Sequence, residues 1–185
     1  MKWIGERISF EETKHRTTII IDSNKNALIN ALMGSWLAMW YTIGMATLIY
    51  SFNYELTRQE TLIVIVFIIF WTYYAFRVSK AFLWLVYGKE YIKIDEVGLH
   101  LKKSVLSFGK SNVFLFGNIN ELQFDIPEKG SWQMAWESAP WINGGERITF
   151  DYYGKIIRFG RKLNEKDTKL LFNLVAKRIQ ERNKR

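Results

Sequence analysis

Apolar and polar positions follow two different patterns along this chain. From Ala27 to Tyr50 there are 24 consecutive residues without a charge, ALINALMGSWLAMWYTIGMATLIY. At about 1.5 Å rise per residue, a helix over this stretch spans roughly 36 Å, more than the ~30 Å hydrocarbon core of a bilayer. A helix lying on a soluble core would carry a polar face, and this one has none. A second uncharged run, TLIVIVFIIFWTYYAF, covers residues 61–76. Alone it reaches only about 24 Å, but Arg77 and Lys80 beyond it can snorkel to headgroups and extend the span by a turn. The pattern predicts two transmembrane helices in a hairpin, at about 27–50 and 61–80, with the second continuing through AFLWLVYG to the inner interface.

Elsewhere the period changes. HRTTIIID, residues 15–22, is β-branched and predicts a strand, followed by turn and helix-cap chemistry at Asp22-Ser23-Asn24. Three consecutive isoleucines, Ile19 to Ile21, imply that this segment packs on the C-terminal domain. From Gly88 the residues alternate. EYIKIDEVGLHLKK turns at Glu96-Val97-Gly98, VLSFGKSNVFLF at Gly109, INELQFDI is a further strand, and RITFDYYGKIIRFG bends at Tyr153-Gly154. Leu171, Leu174, Val175 and Ile179 then repeat at helical spacing behind Asn164, an N-cap candidate, with Glu165 and Asp167 in the first turn. The expected organisation is a cytoplasmic strand segment (1–26), a helical hairpin (27–87) and an α+β domain (88–185), in which an antiparallel sheet is covered by one helix.

Charge gives the hairpin a direction. Residues 1–26 carry five Lys/Arg against four acids, the connection 51–60 carries one against two, and everything from Arg77 onward carries 20 against 12. Positive residues near span ends stay in the cytoplasm, so both termini are expected inside and only the short connection outside. The net charge of +8 is then topology plus attraction to anionic lipid. No recognition-helix motif or Gly-rich phosphate loop accompanies it, and nucleic acid is not expected as a partner. MKWIGERISFEETKHR lacks the layout of a secretory signal. With no cysteine and two distant histidines, His15 and His100, neither thiolate chemistry nor a metal site is expected. No Gly-x-Ser-x-Gly elbow is present, and neither Glu11-Glu12 nor Asp95-Glu96 has a nucleophile beside it. No enzymatic reaction and no cofactor are expected.

Several stretches resemble a known family. Phe82-Leu83-Trp84-Leu85-Val86-Tyr87-Gly88-Lys89-Glu90 followed by YIKIDEVGLHL is similar to the join between membrane hairpin and domain in small bacterial membrane proteins with a pleckstrin-homology-like (PH-like) domain. Trp141-Ile142-Asn143-Gly144-Gly145, then ITFDYYGKIIRFG at 148–160 and an acid-started helix, resembles the same family. The resemblance covers most of the chain. It implies an inner-membrane protein, multi-pass, with a cytoplasmic PH-like sheet or barrel closed by one C-terminal helix, and it implies no established reaction. The segment EKGSWQMAWESAPW (128–141) is richer in Trp than that family leads one to expect.

Three groups of residues are candidates for function. Gly34, Ala38, Thr42 and Ala46 recur every fourth residue and offer close approach to another helix, either the second span or a second copy. Trp132, Trp136 and Trp141 either close the small sheet or form an exposed patch for a partner or for headgroups. Lys102, Lys103, Lys110, Arg158, Arg161 and Lys162 fall near strand ends or turns, where they form a solvated face or grip phosphate as such cations do in eukaryotic PH domains, a ligand the similar bacterial proteins are not expected to share; Arg77 and Lys80 add to the headgroup candidates. The reading that follows is a non-catalytic, membrane-anchored binding or assembly module whose partner is a protein or a second copy. The alternative is a sensor of an anionic lipid headgroup or small ligand.

Overall fold

The structure, a computed structural model, describes residues 2–23, 26–128, 130–142 and 144–183. It contains two compact units: one joins the residues up to 24 with those from 87 onward, the other holds residues 25–86.

The strand-rich unit begins with β1 (Lys2–Ile4), β2 (Ile8–Glu12) and β3 (Thr17–Asp22), and continues after the helical segment with β4 (Gly88–Ile94), β5 (Gly98–Val105) and β6 (Ser111–Leu115). These six form one antiparallel sheet in chain order. The period of two decides which face is buried: Ile19 and Ile21 of β3, Ile92 and Ile94 of β4 and Leu99 of β5 are at most 2% exposed. β3 pairs with β4 so that Asp22 stands opposite Lys89. Residues 23–87 are therefore an insertion between two neighbouring strands.

A 3₁₀ turn at Phe116–Asn118 then leads to a second sheet, β7 (Ile119–Phe124), β8 (Glu146–Tyr152) and β9 (Lys155–Arg161). The two sheets do not close into a barrel. β6 and β7 belong to different sheets, and the β7–β8 register shifts between Asn120 and Gln123, where Glu121 has φ 50°. The sheets share one core instead, with Phe114 edge-on to Phe150 at 5.3 Å and to Tyr152 at 5.1 Å. Between β7 and β8 lies the short helix α3 (Trp132–Ser138), within the Trp-rich segment 128–141. Finally, α4 (Glu165–Asn183) buries Leu171 and Val175 in this core, with Leu174 and Ile179 partly buried. Asn164 Oδ1 accepts from the Asp167 N–H at 2.7 Å, the capping bond the sequence suggests.

The other unit holds α1 (Ala27–Asn53) and α2 (Arg58–Tyr87), both longer than the uncharged runs. Asn26 caps α1, its side chain accepting from Leu28 and Ile29 N–H; of the Asp22-Ser23-Asn24 cap reading, Asn24 lies outside the described residues. α2 starts with a capping box. The Thr57 N–H donates to Glu60 Oε2 at 2.8 Å, and the Glu60 N–H to Thr57 Oγ1 at 3.3 Å. The connection thus shrinks from the expected ten residues to 54–57. Both helices are long and apolar enough to cross a membrane, and only 17% and 6% of their apolar windows is buried.

α1 does not meet α2 along the row Gly34, Ala38, Thr42, Ala46. Met33, Leu37 and Gly44 are buried instead, while Ala38, Thr42 and Ala46 are exposed and Gly34 lies under the tip of Phe82. The reason is the size of Trp71. A Cβ on Gly44 would stand 1.9 Å from its ring, so only a glycine admits the indole against the backbone. The indoles then lock reciprocally: Trp71 Nε1 donates to Trp40 O at 2.8 Å and Trp40 Nε1 to Trp71 O at 3.2 Å.

Candidate functional site

The basic residues that the sequence scatters over 60 positions converge at one place. Lys102 and Lys103 at the end of β5, Lys110 in the β5–β6 turn and Arg158 on β9 line a cleft of about 260 Å³ between the two sheets. Phe114 and Phe159 form its apolar floor. The cleft exists because β6 and β9 are edges that do not pair with each other.

At the back of the cleft sits Glu90, 4% exposed. Its Oε2 accepts two consecutive backbone N–H groups, Gly160 and Arg161, each at 3.0 Å. Gly160 has φ 76°, the left-handed conformation that turns both N–H groups toward one oxygen. Burial pushes the Glu90 carboxyl above its ordinary range, opposed by Lys103, whose Nζ is 3.7 Å from Oε1. The same Nζ holds Glu146 at 2.6 Å. Burial works against the Glu146 carboxylate, but Lys103 outweighs it and keeps the group below its usual range. Lys103 is therefore shared between two acids while remaining exposed, and Lys110 and Arg158 are exposed beside it on the rim. Lys102, half-buried, donates to Ser107 O at 3.2 Å.

A second cluster adjoins this one. Arg7 donates to Asp22 O at 2.8 Å and to Lys162 O at 2.7 Å, which ties the β1–β2 turn to the end of β9. Arg161 donates to Ile142 O at 3.1 Å, Lys162 Nζ to Ala139 O at 2.5 Å, and Arg147 pairs with Glu137 at 2.6 Å. Three cations thus clamp the segment that carries α3. Burial, then Arg161 and Arg7, lower the Lys162 ammonium to about 8.

The aromatics of this clamped segment are exposed. Trp132 is 81%, Trp136 56% and Trp141 55% exposed, with the first two rings stacked at 6.5 Å. They do not close the sheet. Arg161, expected among the headgroup ligands, turns its guanidinium to Ile142 O in the clamp and does not line the cleft, although its backbone N–H reaches Glu90. Arg77 and Lys80 are exposed on α2, where Arg77 donates to Tyr73 Oη at 2.7 Å. Asn143, within the Trp141–Gly145 motif, lies outside the described residues.

Sequence reasoning passed over Glu90, Arg7 and Glu146. The first was detectable: in KEYIKI the alternation places Glu90 on the face of Ile92 and Ile94, an acid where the pattern calls for an apolar residue. Among the described residues, no group of three or more His, Cys, Asp or Glu side chains is placed to hold a metal ion. The chain matches no family model, and none of the curated proteins matches it in sequence.

Proposed function

We propose that this protein is a non-catalytic binding module anchored in a membrane, whose cationic cleft receives an anionic lipid headgroup or small phosphorylated ligand. The observation that carries the reading is the convergence of Lys102, Lys103, Lys110 and Arg158 on one cleft. Ammonium and guanidinium groups at the rim make charge-assisted contacts to phosphate oxygens, and the aromatic floor takes the less polar part of a ligand. The strand-rich unit is PH-like in the order of its elements, two antiparallel sheets followed by one packed helix. α1 and α2 cross the bilayer as a hairpin. Support for the pair comes from the register of Asp22 opposite Lys89, which starts and ends the insertion at neighbouring points of one sheet, so the chain must return to the side it left. The charge distribution favours cytoplasmic termini, and the resemblance to small bacterial membrane proteins implies a bacterial inner membrane.

The test uses the full-length protein in nanodiscs, followed by hydrogen exchange over residues 101–112 and 156–160. Phosphatidylglycerol discs, or phosphatidylcholine discs with added glycerol phosphate, are expected to protect these segments. The protection should weaken with salt and vanish in Lys110→Glu/Arg158→Glu. Protection only in phosphatidylglycerol discs identifies a lipid headgroup, and protection by glycerol phosphate a soluble ligand. Equal exchange under all conditions refutes the reading.

One observation favours a second reading, assembly with a protein partner, most simply another copy. The row Ala38, Thr42, Ala46 is left exposed on α1, and small residues at that spacing admit a helix at short distance. Light scattering in detergent over a concentration range reads it: an oligomer that Ala38→Leu dissociates supports assembly, and a monomer throughout removes it.

A further inference from the structure

We infer that the Trp132, Trp136 and Trp141 face docks on a lipid surface, seating these side chains in the headgroup layer of the membrane that anchors the chain. The inference rests on the membrane reading above and adds a second, non-covalent contact to it. Its basis is the position of the clamp. Arg7 bonds Asp22 O, the last residue of β3 before the insertion, and also Lys162 O; Lys162 in turn bonds Ala139 O. Gly88 and Lys89, where the chain re-enters the sheet, pair beside Asp22 and directly precede Glu90, which binds Gly160 and Arg161 N–H. The aromatic segment is thus fixed to the end of the strand-rich unit that carries both chain connections to α1 and α2. The polar contacts of the segment point into that clamp, and its three indoles are left outward. Indole belongs at a membrane interface, with an apolar body and a single N–H donor that the glycerol region satisfies. Leu106 and Phe108, exposed just beyond Val105, which pairs with Gly88, stand at this same end of the unit, whereas the exposed residues of the β8–β9 turn do not. Tyr153 and Ile156 lie at the far end of the β8–β9 pair from Glu146 and Arg161. With about 3.3 Å per residue along β8, that turn stands ~20 Å from the clamp.

The absence of cysteine allows single-cysteine labelling of the full-length chain. Gln133→Cys on α3, Lys155→Cys at the distant turn and Ile69→Cys in the middle of α2 are each labelled with the fluorophore NBD. Each is then reconstituted in phosphatidylcholine vesicles with and without brominated lipid. The expected result is blue-shifted emission at 133, quenched by brominated lipid several-fold more than at 155, and loss of that quenching in Trp132→Ala/Trp136→Ala. Emission at 133 indistinguishable from 155 overturns the inference, as does quenching that survives the double substitution. A shielded but unquenched probe at 133 also overturns it and indicates a protein cover. Position 69 separates the two levels: quenching there with none at 133 sinks only the docking, whereas no quenching at 69 sinks the membrane reading itself.

Discussion

Removing the Glu90 carboxylate tests whether this buried acid acts as a backbone acceptor. In Glu90→Ala the N–H groups of Gly160 and Arg161, which now converge on one oxygen at 3.0 Å, lose their partner. Each buried donor left unsatisfied costs about 1–3 kcal/mol. The Gly160 N–H is fully enclosed, whereas Arg161 is half-buried and water relieves part of its loss. The variant also relieves the burial of a carboxyl whose ionised form is disfavoured there. The net cost is about 2–3 kcal/mol, equivalent to local opening about 30- to 150-fold more often. Glu90→Gln keeps a carbonyl oxygen for both donors and discards the charge, so it should remain within about 1 kcal/mol of the parent. Hydrogen exchange of full-length protein in nanodiscs, read on peptides covering residues 156–163, measures the difference as an exchange ratio. If the alanine variant exchanges like the parent, or the glutamine variant is as fast as the alanine, the acceptor argument is wrong.

Two further outcomes follow from the same structure. Gly44→Leu drives a side chain into Trp71 and should lower the thermal midpoint in detergent by the equivalent of about 1–3 kcal/mol. Ala46→Leu on the exposed face, at dilute protein, should leave the midpoint nearly unchanged, and equal effects would mean that α1 meets α2 along another face. Burial and the neighbouring Arg161 and Arg7 lower the folded Lys162 ammonium to about 8 from its ordinary 10.5, so the unfolded chain holds the proton longer. Stability should rise as pH increases from about 8 toward 10.5, and this rise should be absent from Lys162→Met; identical slopes in the two proteins would refute it.

How much of this could be read from the sequence depended on the kind of interaction. The long uncharged runs, the alternation in EYIKI, the Tyr153-Gly154 bend and the capped C-terminal helix are local signals, and each stands in the structure where the pattern put it. The Thr57–Glu60 capping box was equally local, and the spacing of Thr and Glu three residues apart would have given the start of α2. The face of α1 was not legible. A row of small residues is a stronger sequence pattern than one glycine, yet the bulk of Trp71 selects Gly44 and leaves Ala38, Thr42 and Ala46 outside. The cleft was legible as a list of cations but not as a place, because nothing in sequence brings Lys110 beside Arg158. The clamp on the Trp segment depends on backbone carbonyls at Ala139 and Ile142, and carbonyl positions leave no trace in side-chain identity.

The pairing of Asp22 with Lys89 has a consequence for how the chain comes to be folded. Strands β1 to β3 are made first, yet β3 cannot find β4 until all of residues 23–87 have been synthesised. Closing a flexible segment of that length costs about 4 kcal/mol of chain entropy. If α1 and α2 have already come together, their ends are already neighbours and much of that cost is gone. The converse holds as well: a formed sheet holds the two helix ends at adjacent strands and so favours their association. Each half lowers the entropic barrier to the other, and the order of assembly is free while the outcome is shared.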